Sequence, residues 1–148
     1  MLKRYTFWLW TAVVLLWLTG IIHSIGIFVP LAPSNETERQ MLDLMLHYHL
    51  NLGNGFHPTM WDLFRALSSC YSFICFLAAM TIAYLLKNRA APTLLKGIIR
   101  IHLLVFGAVL VVIAFLTFLA PILLTGLVVL SLAVGLLTMP GKHSVAEN

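Results

Sequence analysis

Charge is what this sequence has least of. Only 9% of its 148 residues are Asp, Glu, Lys or Arg, and five of those are acidic. That excludes an ordinary soluble domain, in which about a quarter of residues are charged. Cysteine is nearly absent as well. Cys70 and Cys75 are the two in the chain, and five positions apart on one expected helix they face divergent directions, so they cannot bridge each other and read as packing residues. No Cys-x-x-Cys, His-Glu-x-x-His or EF-hand loop occurs, which removes the common sequence signatures of metal binding. Acidic pairs at mid-span are missing too, and with them the usual mark of ion-coupled transport. The same lack of acidic groups excludes a sterol isomerase-like bundle, and the lack of external cysteine pairs excludes a thiol-oxidising quinone reductase.

What is present is apolar. Hydrophobic residues make up 61% of the chain and its mean hydropathy is +0.97, values that place it in lipid. A bilayer core of about 30 Å takes roughly 20 apolar residues per helical span, and four such runs lie at about 7–29, 60–86, 94–119 and 122–139. The expected fold is therefore all-α, an integral membrane four-helix bundle forming one domain over 1–140 with a short tail at 141–148. Lys3 and Arg4 resemble the start of a signal peptide. The apolar run that follows exceeds a signal core of roughly 7–15 residues, so it reads as a retained span.

Basic residues set the expected orientation. Lys3 and Arg4, then Lys87, Arg89, Lys96 and Arg100, then Lys142 fall on one side, while Glu36, Glu38 and Asp43 outnumber Arg39 on the other. Both termini are expected in the cytoplasm. The pI of 9.4 follows from this distribution and does not imply a nucleic-acid partner. Between spans one and two, residues 34–52 read as an external amphipathic helix: Glu36, Gln40, Asp43, His47 and Asn51 share one face, and Met41, Leu44, Met45, Tyr48 and Leu52 the other. Gly53-Asn54-Gly55 should end it. Pro121 is expected to open span four.

The polar residues within the spans are the candidate site. Asp62, Arg65, Ser68, Ser69 and Ser72 lie near the start of span two, at the same depth as His23 and Ser24 in span one. A charge at membrane depth costs about 2.5–3.5 kcal/mol on insertion scales, so it usually faces a partner, a cavity or the interface. Together with His49 from the external segment, these residues would line an outer-leaflet polar pocket. The alternative is structural, with Asp62 pairing Arg65 one turn away and the serines bonding back to their own helix. Asp43 and His47 are spaced to share an ion, but His49 points elsewhere, so no metal is expected. His23 and His102 lie at different depths and do not suit a shared haem. No cofactor is expected.

The pattern Gly20-x-x-His23, an intervening segment of some thirty residues, and the run Thr59-Met60-Trp61-Asp62-Leu63-Phe64-Arg65-Ala66-Leu67-Ser68 resemble a family of small uncharacterised four-span bacterial membrane proteins. The resemblance implies a four-helix bundle in a bacterial inner membrane and supplies no activity. Two functions fit the residues. One is a non-catalytic protein that binds a lipid or quinone-like amphiphile in the polar pocket, or serves as an accessory subunit to a membrane-protein partner. The other is a membrane enzyme on such a substrate, with His23 as its acid or base.

Overall fold

The computed structural model describes residues 4–29 and 32–140. The tail expected over 141–148 and the turn residues Pro30 and Leu31 lie outside the described residues. Five helices follow one another: α1 (Arg4–Phe28), α2 (Glu36–His47), α3 (Met60–Lys87), α4 (Pro92–Leu116) and α5 (Leu119–Leu137). Four of them, α1, α3, α4 and α5, are long and apolar enough to cross a membrane. The shortest, α5, has 19 residues and so measures about 28 Å at about 1.5 Å per residue, close to the thickness of a hydrocarbon core.

The helix ends follow from local chemistry. After α3, Arg89 turns left-handed at φ 48°, the Ala90 amide donates to the Leu85 carbonyl and the Arg89 amide to that of Leu86. This is a Schellman closure, and Pro92 then opens α4 where a missing N–H costs nothing. The α4–α5 break differs from its expected place. It falls at Thr117 and Phe118, both extended, so Pro121 is the third residue of α5 and not its first. The first four amides of a helix lack intrahelical acceptors, so proline fits there equally well. Thr117 closes α4 by donating both its amide and its hydroxyl to Ile113, at 2.9 and 2.8 Å.

Buried positions within the long helices recur at alternating spacings of three and four. In α3 the series is Ser68, Ser72, Cys75, Ala79 and Ile82, with Ala78 buried beside it; in α5, Thr125, Val128, Leu132 and Gly135, with Ser131 buried beside it and Met139 just beyond. Leu9, Ala12, Leu16 and Thr19 repeat the pattern in α1. A period near 3.5 is that of a left-handed helix-packing seam. Small and hydroxylated side chains are frequent along it, as close approach between membrane helices requires. Large apolar residues such as Leu104, Phe115, Leu116 and Leu137 point outward instead, each more than 70% exposed.

The chain divides into two compact units, one of residues through Thr19 together with those from Cys75 onward, the other of Gly20–Ile74. In the first, α4 and α5 pack as a hairpin, Trp17 lies against Phe76 with ring centroids 4.9 Å apart, and the Lys96 ammonium donates to the Pro140 carbonyl at 2.6 Å. At Gly135 the approach is closest: a Cβ there would lie 2.7 Å from Leu9 Cδ2 and 3.2 Å from Leu9 Cγ. Leu9 is fully buried, so it has little room to give.

The second unit holds the end of α1, α2, a hairpin and the start of α3. Asn35 caps α2 by accepting from the Glu38 amide at 2.9 Å, and Glu38 in turn accepts from the Ser34 amide at 2.6 Å. Arg39 and then Gln40 donate to Glu36, holding its carboxyl below the ordinary value. The helix ends at His47, short of the Leu52 expected from its polar pattern. From His49 to Thr59 the chain instead folds back on itself. His49 and Thr59 pair antiparallel, the Leu50 amide donates to the Pro58 carbonyl at 2.9 Å, and Gly53, Asn54 and Gly55 make the tip with φ of 80°, 53° and 81°. Glycine at two of those three left-handed positions is what allows so tight a reversal.

Replacing Gly135 by Val should lower stability by about 1–3 kcal/mol through overpacking, measured as a lower unfolding midpoint in detergent or nanodiscs. A Cβ at Gly126 meets nothing within 4 Å, so Gly126→Ala should leave that midpoint unchanged or slightly raised.

Candidate functional site

Every sequence-nominated site residue lies in the second unit, and the structure divides them into committed and uncommitted groups. Asp62 is committed. Its Oδ2 accepts from the Thr59 amide at 3.0 Å and from the Thr59 hydroxyl at 2.9 Å, while Thr59 Oγ1 accepts from the Asp62 amide at 3.1 Å. This reciprocal arrangement is a capping box at the start of α3, with aspartate where glutamate is more usual. It orders the first turn and satisfies amides that would otherwise stay open. Asp62 therefore bonds Thr59, not Arg65, although Arg65 is close enough for its charge to act on it.

The serines bond along their own helices. Ser24 Oγ donates to the Gly20 carbonyl at 2.7 Å, Ser69 to Arg65 at 2.8 Å and Ser72, more weakly, to Ser68 at 3.5 Å. Each donates its proton to the carbonyl four residues back, the usual resource of a hydroxyl in an apolar helix. Ser68 and Ser72 are also buried on the α3 seam. His49 sits in the hairpin and not on α2, and its Nδ1 lies 2.7 Å from the His57 carbonyl, to which it donates. It helps close the reversal and is exposed.

Two side chains keep polar groups that such ties do not take up. His23 is half-buried, its ring stands edge-on to Tyr71 with centroids 5.0 Å apart and planes at 79°, and it makes a hydrogen bond to the backbone of Ser68. Its Nε2 is buried and has no hydrogen-bond partner. Arg65 carries its guanidinium 5.6 Å from the centre of the Phe28 ring, and among the described residues no carboxylate pairs with it. From His23 to Phe28 is five residues of α1, and from Tyr71 to Arg65 six of α3, or about 7.5 and 9 Å of rise. The two contacts are thus successive rungs between antiparallel helix ends, with the imidazole on one and the cation on the next.

Three residues that complete this geometry carried weak or unread signals. Thr59 was legible, since Thr59-x-x-Asp62 before an apolar run is a capping-box pattern. Tyr71 and Phe28 were not, because nothing in an apolar helix marks which aromatic will face a histidine or an arginine. Elsewhere, His47 bonds Asp43 at 2.9 Å, and no cluster of three or more metal-ligating side chains occurs among the described residues. His102 Nδ1 donates to Ile98 of its own helix at 2.8 Å. Compared with family models, curated proteins and solved structures, the chain matches none.

Thr59→Val should weaken the capping box by about 1 kcal/mol. The expected readout is faster hydrogen exchange at the Asp62 amide, while Ser69→Ala leaves that amide unchanged. Equal exchange in wild type and Thr59→Val would contradict the capping role.

Proposed function

We propose that this chain is a non-catalytic integral membrane protein that binds the polar head of an amphiphile at the paired ends of α1 and α3. The observation that carries the proposal is the juxtaposition there of the partnerless buried Nε2 of His23 and the guanidinium of Arg65, which stands over the Phe28 ring. A buried polar atom left unpaired costs about 1–3 kcal/mol, and a ligand that pairs it recovers that energy. The basic residues around the α3–α4 turn, with Glu36, Glu38 and Asp43 on the other side of the spans, support cytoplasmic termini. That orientation puts the site in the outer leaflet, in keeping with the bacterial inner membrane implied by the family resemblance.

The chemistry narrows the ligand. Arg65 offers a planar donor fork that favours phosphate or carboxylate, and the Phe28 ring beneath it leaves the outer edge of the fork for an anion. His23 lies one to two turns deeper and would hold a hydroxyl or carbonyl nearer the chain of the amphiphile. Because Ser24, Ser69, Ser72 and Asp62 are engaged within their own helices, they shape the site and do not supply its main donors.

Native mass spectrometry of gently solubilised wild type and Arg65→Ala tests this directly. The expected result is an anionic amphiphile that copurifies with wild type and is lost from an Arg65→Ala protein of unchanged helicity and unfolding midpoint. Equal retention by both proteins, or nothing beyond loosely held bulk lipid, would overturn the binding role and leave these helix ends as a packing surface for an accessory subunit.

A further inference from the structure

The helix between the first two spans presents an apolar face that its own protein leaves uncovered. On a helical wheel Arg39, Asp43, Glu36, His47 and Gln40 of α2 fall within an arc of about 100°; Leu44, Met41, Met45, Leu42 and Leu46 occupy most of the remainder, with Thr37 and the Ser34-bonded Glu38 of the first turn among them. No residue of α2 is buried. Leu44 is 62% exposed, Met41 52% and Tyr48, just beyond the helix, 60%. Such a face in water would be a liability, so something of low polarity is needed to cover it.

The hairpin shows where that face must be. Pairing of His49 with Thr59 returns the end of α2 to the residue immediately before α3, a helix apolar enough to cross a membrane. At its other end, α2 is joined to α1 by residues 29–35, a reach of at most about 28 Å even if fully extended. Both ends are thus tethered where apolar helices enter or leave the bilayer, and the exposed tyrosine at the end of α2 suits that boundary. Charge narrows the surface further. The helix carries Glu36, Glu38 and Asp43 against Arg39, the reverse of the basic face that binds anionic lipid.

We infer that α2 is an interfacial helix, lying on the bilayer with Leu44, Met41 and Tyr48 in the headgroup–acyl boundary of electrically neutral lipid and the face of Glu36, Arg39, Asp43 and His47 in water. This does not depend on an amphiphile site at His23 and Arg65. It makes α2 part of the membrane contact of the protein.

The test uses the full chain, with Cys70 and Cys75 replaced by Ala, reconstituted in phosphatidylcholine vesicles and in equal mixtures with phosphatidylglycerol. Spin labels are placed singly through Leu44→Cys, Arg39→Cys on the opposite side of the helix and, as a reference on a spanning helix, Phe115→Cys. The label at 44 should be readily relaxed by oxygen and shielded from a water-soluble nickel complex, like that at 115, whereas the label at 39 should show the opposite. The pattern should be no stronger with phosphatidylglycerol. Nickel access at both 39 and 44 would overturn the inference, as would a label at 44 shielded from both reagents, which would mean a protein partner covers the face. Immersion seen only with phosphatidylglycerol would overturn the assignment to neutral lipid. A second label at Met41 guards against a local defect, and its failure to follow Leu44 counts against the inference.

Discussion

In hydrocarbon, a backbone N–H or C=O without a partner costs several kcal/mol, and no water is present to relieve it. Much of this structure follows from meeting that demand helix by helix. Four long helices internalise their backbone groups, and the places where the ladder must end are closed locally. The Schellman turn after α3, the Thr117 bonds to Ile113 and the Thr59–Asp62 box are three solutions to one problem. The hydroxyls obey the same rule: Thr11, Thr19, Ser24, Ser69 and Thr81 each donate to the carbonyl four residues back. Polarity that stands out in the sequence is thus largely absorbed by the helices that carry it.

That absorption explains how much of the site could be read in advance. The cluster of Asp62, Arg65 and serines at the start of α3 is plain in the sequence, but its members do different things. Asp62 serves the helix terminus, Ser68 and Ser72 line a packing seam, and Ser69 bonds its own backbone. Arg65 and His23 are left over, one turned onto an aromatic ring and the other holding a buried nitrogen without a partner. Residue type alone could not make that division, because the partners are the Thr59 amide and hydroxyl for Asp62, backbone carbonyls for Ser69 and Ser72, and aromatic rings of the facing helix for His23 and Arg65.

The architecture was more legible than the packing. Runs of about twenty apolar residues give the four long helices to within a few residues, since length and hydropathy decide whether a segment suits a bilayer. The seams were hidden for the same reason. Lipid and protein interior are both apolar, so the 3.5-residue period that marks a buried face in a soluble helix is blurred here. Only its small and hydroxylated members, Ser68, Ser72, Cys75 and Ala79 in α3, hint at it. The polar pattern of α2 runs on through Asn51 in the sequence and so does not mark where the helix ends. The chain leaves that pattern after His47, where the His49–Thr59 pairing and the glycines at the hairpin tip favour reversal.

If the four long apolar helices lie in a bilayer, their amides are cut off from water while the hairpin tip between the first two spans is not. Hydrogen–deuterium exchange on the full chain in lipid nanodiscs, resolved to short peptides along the sequence, tests that placement. Slow exchange is expected through α1, α3, α4 and α5, including the α5 residues beyond Pro121, with rapid exchange at the hairpin tip around Gly53–Gly55. Rapid exchange along the length of α4 or α5 would contradict it, because a spanning helix has no water with which to exchange.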